Sequence, residues 1–344
     1  MILDLGILIL ALLFIVASAE LFTNGIEWLG QRLGLSEGVV GSVLAAVGTA
    51  MPETLIPIVA VLFFSGRGGE KIGIGAILGA PFMLSTLTLG LCGMAAIMFA
   101  KQGIRNKELQ VDTKVVKRDL KFFITAYVIA MLAAIPGLET PAVKYAFAFG
   151  LLSIYPFYLY KTFQAEGEVG EEPDSLYLDK LLKLGPKKLR LILPQVFLGL
   201  AGIVGGAYYF VEVIKDIADV LDVPALILSL IIAPIATELP EKINSILWVR
   251  QGKDTLAMGN VTGALVFQSC IPVAFGVAFT PWDLDVGTVL TGVTAITSAT
   301  IVLSLILAGK LKFLHLAFGA ALYAAAVTAL LILDGHGAAH SAAH

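Results

Sequence analysis

Two short stretches of this chain carry groups able to do chemistry where their surroundings carry none. Thr49-Ala50-Met51-Pro52-Glu53 and Thr237-Glu238-Leu239-Pro240-Glu241 lie 188 residues apart, each inside apolar sequence. An ionisable group at membrane depth is costly, so it faces a polar interior and marks an ion or substrate path. Proline removes a backbone donor and frees a carbonyl of the preceding turn, which a bound cation can use. Glu53 and Glu241, with the hydroxyls and carbonyls of Thr49 and Thr237, are therefore candidate ligands of a hard cation such as calcium, which favours clusters of carboxylate and carbonyl oxygen. Two neighbouring carboxylates also repel, so protons and cations are expected to compete for them.

The elements that must position these groups are membrane helices. With 58% hydrophobic and 14% charged residues and a mean hydropathy of +0.90, the chain has too little polar surface for water and reads as an all-α integral membrane protein. A span needs about 20 apolar residues. Ten such runs occur, near residues 3–31, 37–65, 72–100, 120–136, 142–162, 191–220, 224–249, 255–279, 286–308 and 313–333. The expected organisation is a first five-helix repeat over 1–163, a cytoplasmic linker over 164–190, a second five-helix repeat over 191–335 and a flexible tail over 336–344 that carries His336, His340 and His344. The linker is acidic first (Glu166, Glu168, Glu171, Glu172, Asp174) and basic later (Lys183, Lys187, Lys188, Arg190). Residues 1–20 lack a basic leading region and carry Asp4, so they read as the first span and not as a cleaved signal. Cys92 and Cys270 fall in apolar runs without metal or disulfide spacing and read as buried thiols.

The halves align beyond the motif. Leu33-Gly34-Leu35-Ser36 matches Leu221-Asp222-Val223-Pro224, and Gly75-Ala76-Ile77-Leu78-Gly79-Ala80 matches Gly259-Asn260-Val261-Thr262-Gly263-Ala264. Five spans per half is an odd number, so the second half enters the membrane upside down, as in many secondary transporters. Loop charge tests the count: alternate loops collect 18 of the 23 Lys and Arg residues on one face. By the positive-inside rule that face is cytoplasmic, and both termini are extracytoplasmic in a multi-pass protein of the cell membrane. Inversion then brings the two Pro-Glu motifs face to face near the bilayer centre.

On these residues the chain resembles the calcium/cation antiporter superfamily, the sodium/calcium exchanger type in particular, over nearly its whole length. Gly48 to Glu53 and Ala236 to Glu241 look like that family's two Gly-Thr-Ser-x-Pro-Glu signatures, and Gly75 to Ala80 and Gly259 to Ala264 like its Gly-Asn-x-x-Gly-Ser segments. The resemblance implies ten helices in two inverted halves, with alternating access around a central site. There the motif glutamates and threonine carbonyls hold calcium, and sodium uses overlapping positions. The departures are specific. The family's serines are Ala50, Glu238, Ala80 and Ala264 here, and its Asn or Asp four residues past the glycine segment is Leu84 in one half and Gln268 in the other. Glu238 and Lys242, four apart on a helix, can form an ion pair. Lys242 has a further reading as a tethered cation or coupling group, because it stands near Glu53 and Glu241.

The ligand set read from the sequence is thus Glu53, Glu241, Thr49, Thr237, Gln268 and Glu238, with Lys242 as the coupling candidate. Gln268 and Asn260 serve equally well as helix-to-helix hydrogen-bonding groups. Glu20, Asn24, Glu27, Glu212, Lys215, Asp216 and Asp219 either line an access path or meet headgroups at helix ends. The function expected is secondary active antiport of calcium against sodium or protons. Two alternatives stay open: a proton-coupled transporter of another divalent cation, and an exchanger-like sensor that does not transport. An intramembrane enzyme would need a nucleophile motif or cofactor loop that the sequence lacks. The partners expected are the lipid bilayer and inorganic cations, with no cofactor and no nucleic acid, and a monomer is preferred.

Overall fold

The computed structural model describes residues 2–33, 50–66, 68–138, 140–165, 175–182 and 189–341. The helices run in the order α1 (Ile2–Arg32), α2 (Met51–Phe63), α3 (Gly69–Lys101), α4 (Thr113–Leu132), α5 (Pro141–Ala165), α6 (Tyr177–Leu182), α7 (Leu189–Leu221), α8 (Ala225–Thr237), α9 (Leu239–Arg250), α10 (Asp254–Phe279), α11 (Val286–Leu307) and α12 (Phe313–Ser341). Seven of them, α1, α3, α5, α7, α10, α11 and α12, are long and apolar enough to cross a membrane; α2 and α8 are shorter apolar helices. Large apolar side chains such as Leu10, Phe149, Phe197 and Phe318 point outward. That pattern suits a lipid surround and would be unstable in water.

The predicted span over 224–249 is not one helix. It breaks at Glu238 into α8 and α9, neither of which is long enough to span alone. The reason is local: Pro240 has no amide hydrogen to give the carbonyl four residues back, so it interrupts a continuing helix but is tolerated in the first turn of a new one. The first motif starts α2 in the same way. Ala50 (φ −85°, ψ 5°) and Glu238 (φ −90°, ψ 9°) share one backbone conformation, and in both copies proline sits in the first turn of the helix that follows. Of the predicted span 37–65, residues 37–49 lie outside the described residues, and Thr49 with them.

Two apolar clusters organise the bundle. One joins α1, α2, α7 and α8 through residues such as Ile15, Ile56, Phe210 and Ala233. The larger joins α3, α4, α5, α10, α11 and α12 through Phe82, Phe123, Tyr155, Val266, Ala299 and Leu330. Helices α3 and α8 contribute to both, and their contact is very close. A Cβ on Gly75 would lie 2.3 Å from the Leu226 carbonyl oxygen, and one on Gly79 2.1 Å from that of Leu230. Only glycine permits that approach, the device by which membrane helices gain van der Waals contact. Ser229 Oγ adds a hydrogen bond to the Ile72 carbonyl at 2.7 Å.

Three further features depart from the sequence expectation. Helix α3 contains a π turn over Leu84–Thr88, the stretch that follows its glycine segment. Part of the linker is a short helix, α6, docked on the bundle: the Tyr177 hydroxyl donates to Glu20 Oε1 at 2.7 Å, the Tyr177 amide to Asn24 Oδ1 at 3.2 Å, and the Leu178 amide to Gln195 Oε1 at 2.9 Å. Glu20 and Asn24 thus hold the linker. Finally, α12 continues to Ser341, so His336 and His340 sit on helical backbone where a flexible tail was expected. The alanine-rich stretch there favours helix, and His344 lies outside the described residues.

Candidate cation site

The helix starts that follow the two motif threonines carry the motif carboxylates. Glu53 and Glu241 each occupy the first turn of a helix, α2 and α9, the latter following the break at Glu238, where unpaired backbone amides and the helix dipole favour negative charge. Glu53, Thr237, Glu238, Glu241, Lys242 and Gln268 are all between 0% and 8% exposed. Glu53 lies within electrostatic reach of both Glu241 and Glu238, with the Thr237 side chain beside it. The structure therefore brings four predicted residues from two halves of the chain to one place.

Their hydrogen bonding is incomplete in an informative way. Both carboxylate oxygens of Glu53 are buried and accept no hydrogen bond, and the same holds for Glu238 and for the side-chain carbonyl of Gln268. These atoms are acceptors, able to take a cation, a proton or a hydrogen of water. The Thr237 hydroxyl donates to the Ala233 carbonyl at 3.0 Å, which fixes its rotamer and leaves its lone pairs available. In the first copy Thr54, which stands where the second has Lys242, donates its hydroxyl to the Ala50 carbonyl at 2.9 Å. Gln268 lies on α10, which packs against α2 and α3. Asn260 is a helix-to-helix group: its Nδ2 donates to the Glu241 backbone carbonyl at 3.2 Å and to Ser245 Oγ at 3.1 Å. It holds the first turn of α9 in place.

Lys242 is buried with the acids. Its ammonium lies 3.4 Å from Glu238 Oε2 and donates to the Pro234 carbonyl at 2.8 Å and to Met83 Sδ at 3.0 Å. Sequence reasoning identified the pair with Glu238, but not Met83 or the Pro234 carbonyl. Nor did it find Tyr323, which feels the Glu238 charge while its ring stacks on Phe82 with centroids 4.9 Å apart. No local pattern could have pointed to these, since Met83 and Tyr323 arrive from distant apolar helices. Among the described residues no three His, Cys, Asp or Glu side chains converge at metal-holding spacing. A cation here would draw on backbone carbonyl and hydroxyl oxygens as well as carboxylates.

A buried acidic centre at the starts of two helices, inside an apolar helical bundle, is an arrangement suited to passing inorganic cations through a membrane. The chain belongs to the sodium/calcium exchanger protein family, whose profile matches residues 3–164 and 192–332. Curated relatives include the inner membrane protein YrbG of Escherichia coli K12, 24% identical over 83% of this chain and 82% of that one. The sodium/calcium exchanger MaX1 of Methanosarcina acetivorans is 26% identical over 75% and 78%. In fold, the chain matches the crystal structure of the H+/Ca2+ exchanger CAX with a TM-score of 0.71 at 19% identity, over 96% of this chain and 86% of that one. It matches the sodium-calcium exchanger NCX_Mj with a TM-score of 0.56 at 22% identity, over 95% and 98%. The protein is thus a multi-pass membrane protein of a cation-antiporter family.

Proposed function

We propose that this antiporter exchanges calcium for a monovalent cation at one central site built on Glu53 and Glu241, by alternating access between two inverted five-span halves. The observation that carries the reading is Glu53: a buried carboxylate with no hydrogen-bond donor at either oxygen, facing two further carboxylates from the other half. Such a group is stable only when something positive reaches it. Thr237, Glu238 and Gln268 supply further oxygens, and Thr49 supplies the matching carbonyl of the first motif. The names of relatives that exchange calcium against sodium or against protons support the cargo.

Radiocalcium uptake by purified protein in proteoliposomes tests the site. Glu53→Gln and Glu241→Gln are each expected to lower ion-driven flux about 30-fold or more, since deleting a charged ligand costs about 2 kcal/mol or above. Retention of calcium flux in both variants would remove the assignment.

Protons as the counter-ion are favoured by one specific feature. At Ala50, Ala80 and Ala264 the chain has no hydroxyl to offer sodium. Imposed sodium and proton gradients separate the two couplings, and uptake driven by a proton gradient alone is the expected result. Competition by manganese or magnesium, followed in the same vesicles, tests the alternative cargo. Calcium binding without flux would identify a sensor.

A further inference from the structure

The centre carries a charge that the exchange reaction has not yet used. Among the described residues three carboxylates, Glu53, Glu238 and Glu241, share one buried region with one ammonium, that of Lys242. The ammonium is fixed by three contacts, to Glu238, to the Pro234 carbonyl at the end of α8 and to Met83 on α3. Carbonyl oxygen at a helix C-terminus and an adjacent carboxylate are the environment in which a broken membrane helix holds a free monovalent cation. At the symmetry-matched positions of the first motif stand Ala50 and Thr54, which bring no charge and bond to each other. The charge pair is therefore confined to one half of the site.

We propose that the Lys242 ammonium permanently fills a monovalent-cation position beside Glu238, and that this fixes the exchange at one divalent cation for two monovalent ones. The proposal rests on the central site assigned above. A net charge buried at membrane depth is costly, so each loaded form that crosses the barrier is close to neutral. Three carboxylates and one bound ammonium leave two negative charges. One divalent ion neutralises them, and so do two monovalent ions. Each cycle then moves no net charge. Without Lys242 the same carboxylates would need a third monovalent cation, taken either with calcium or in exchange for it. Lysine suits this part because its ammonium is a compact point charge that can be coordinated as an ion is.

The test is radiocalcium exchange in proteoliposomes under a fixed counter-ion gradient, with the membrane potential clamped at zero or at about 100 mV. Each net charge moved per cycle would change the final calcium ratio about 50-fold at that potential. For the unmodified protein the ratio is expected to be the same at both potentials. A potential-dependent ratio overturns the proposal while leaving the Glu53 and Glu241 assignment, tested by its own variants, intact. Lys242→Met is expected either to make the ratio potential-dependent or to add a requirement for a monovalent cation on the calcium side. A Lys242→Met protein that transports with unchanged coupling and no such requirement also overturns it, since the lysine would then be only a brace. Where Lys242→Met does not fold, Glu238→Gln/Lys242→Met decides. Removing both charges restores two negative charges, so transport without potential dependence is expected, and transport that moves charge counts against the proposal. The measurement on the unmodified protein needs no variant and stands by itself.

Discussion

At the scale of single residues, the candidate site is a set of acceptors whose backbone is held in place by neighbouring donors. Asn260 is the clearest of these. It ties the backbone carbonyl of Glu241 to Ser245 from the neighbouring helix α10, so it sets the first turn of α9 and with it the direction of the Glu241 carboxylate. Loss of one such bond costs about 1 kcal/mol. Asn260→Ala is accordingly expected to raise the calcium concentration for half-maximal flux about fivefold, with the maximal rate much less affected. An equal fall of the maximal rate with no change in concentration dependence would show that Asn260 serves folding or the conformational step instead. The motif acids themselves were legible as residue types, because carboxylates and prolines stand out in apolar sequence. What the acids touch was not. Lys242 could have turned to any nearby acid, and its choice of Glu238, the Pro234 carbonyl and Met83 depends on the backbone break and on a helix 159 residues away.

At the scale of elements, the close approach of α3 and α8 positions the second motif. Helix α8 ends at Thr237, directly before the break, so any displacement of α8 moves Thr237, Glu238 and the turn carrying Glu241. A methyl at Gly79 would fall 2.1 Å from a backbone oxygen, and backbone cannot rotate away as a side chain can. Gly79→Ala is therefore expected to lower stability by about 1–3 kcal/mol, as overpacking does, and to reduce transport. Gly205→Ala in α7 is the control: its added methyl meets nothing within 4 Å among the described residues. It should be neutral or slightly stabilising, because alanine favours helix over glycine. Thermal unfolding in detergent reads both, and equal melting temperatures for the two variants would contradict the tight contact. A second tie across the halves lies at the basic face. Arg105 pairs with Asp254 through both nitrogens, at 2.6 and 2.7 Å, while its guanidinium stacks 4.4 Å over the Phe313 ring. The sequence showed Arg105 only as loop charge, since periodicity says nothing about partners 149 residues apart.

At the scale of the whole molecule, apolar run length marked the long helices and the motif marked the centre, while the break in the span over 224–249 and the π turn of α3 escaped. Run length is blind to both, because a broken helix and a continuous one can share one hydropathy profile. The same blindness bears on topology, where charge supplies what length cannot. The proposed five spans per half would place corresponding loops of the two halves on opposite faces of the membrane. The loop after α3, near Lys107, and the loop after α10, near Asp283, are such a pair, and both side chains are exposed. The native thiols, Cys92 and Cys270, are buried and give a quiet background for labelling in the folded protein. Lys107→Cys lies in the basic set, which the positive-inside rule assigns to the cytoplasmic face under the proposed topology. It should react with a membrane-impermeant maleimide only after the cells are permeabilised, whereas Asp283→Cys should react in intact cells. The opposite pattern would reverse the orientation and keep the inversion. Reaction of both from one side would break the inverted arrangement, and with it the reason for Glu53 and Glu241 to meet from opposite directions at one depth.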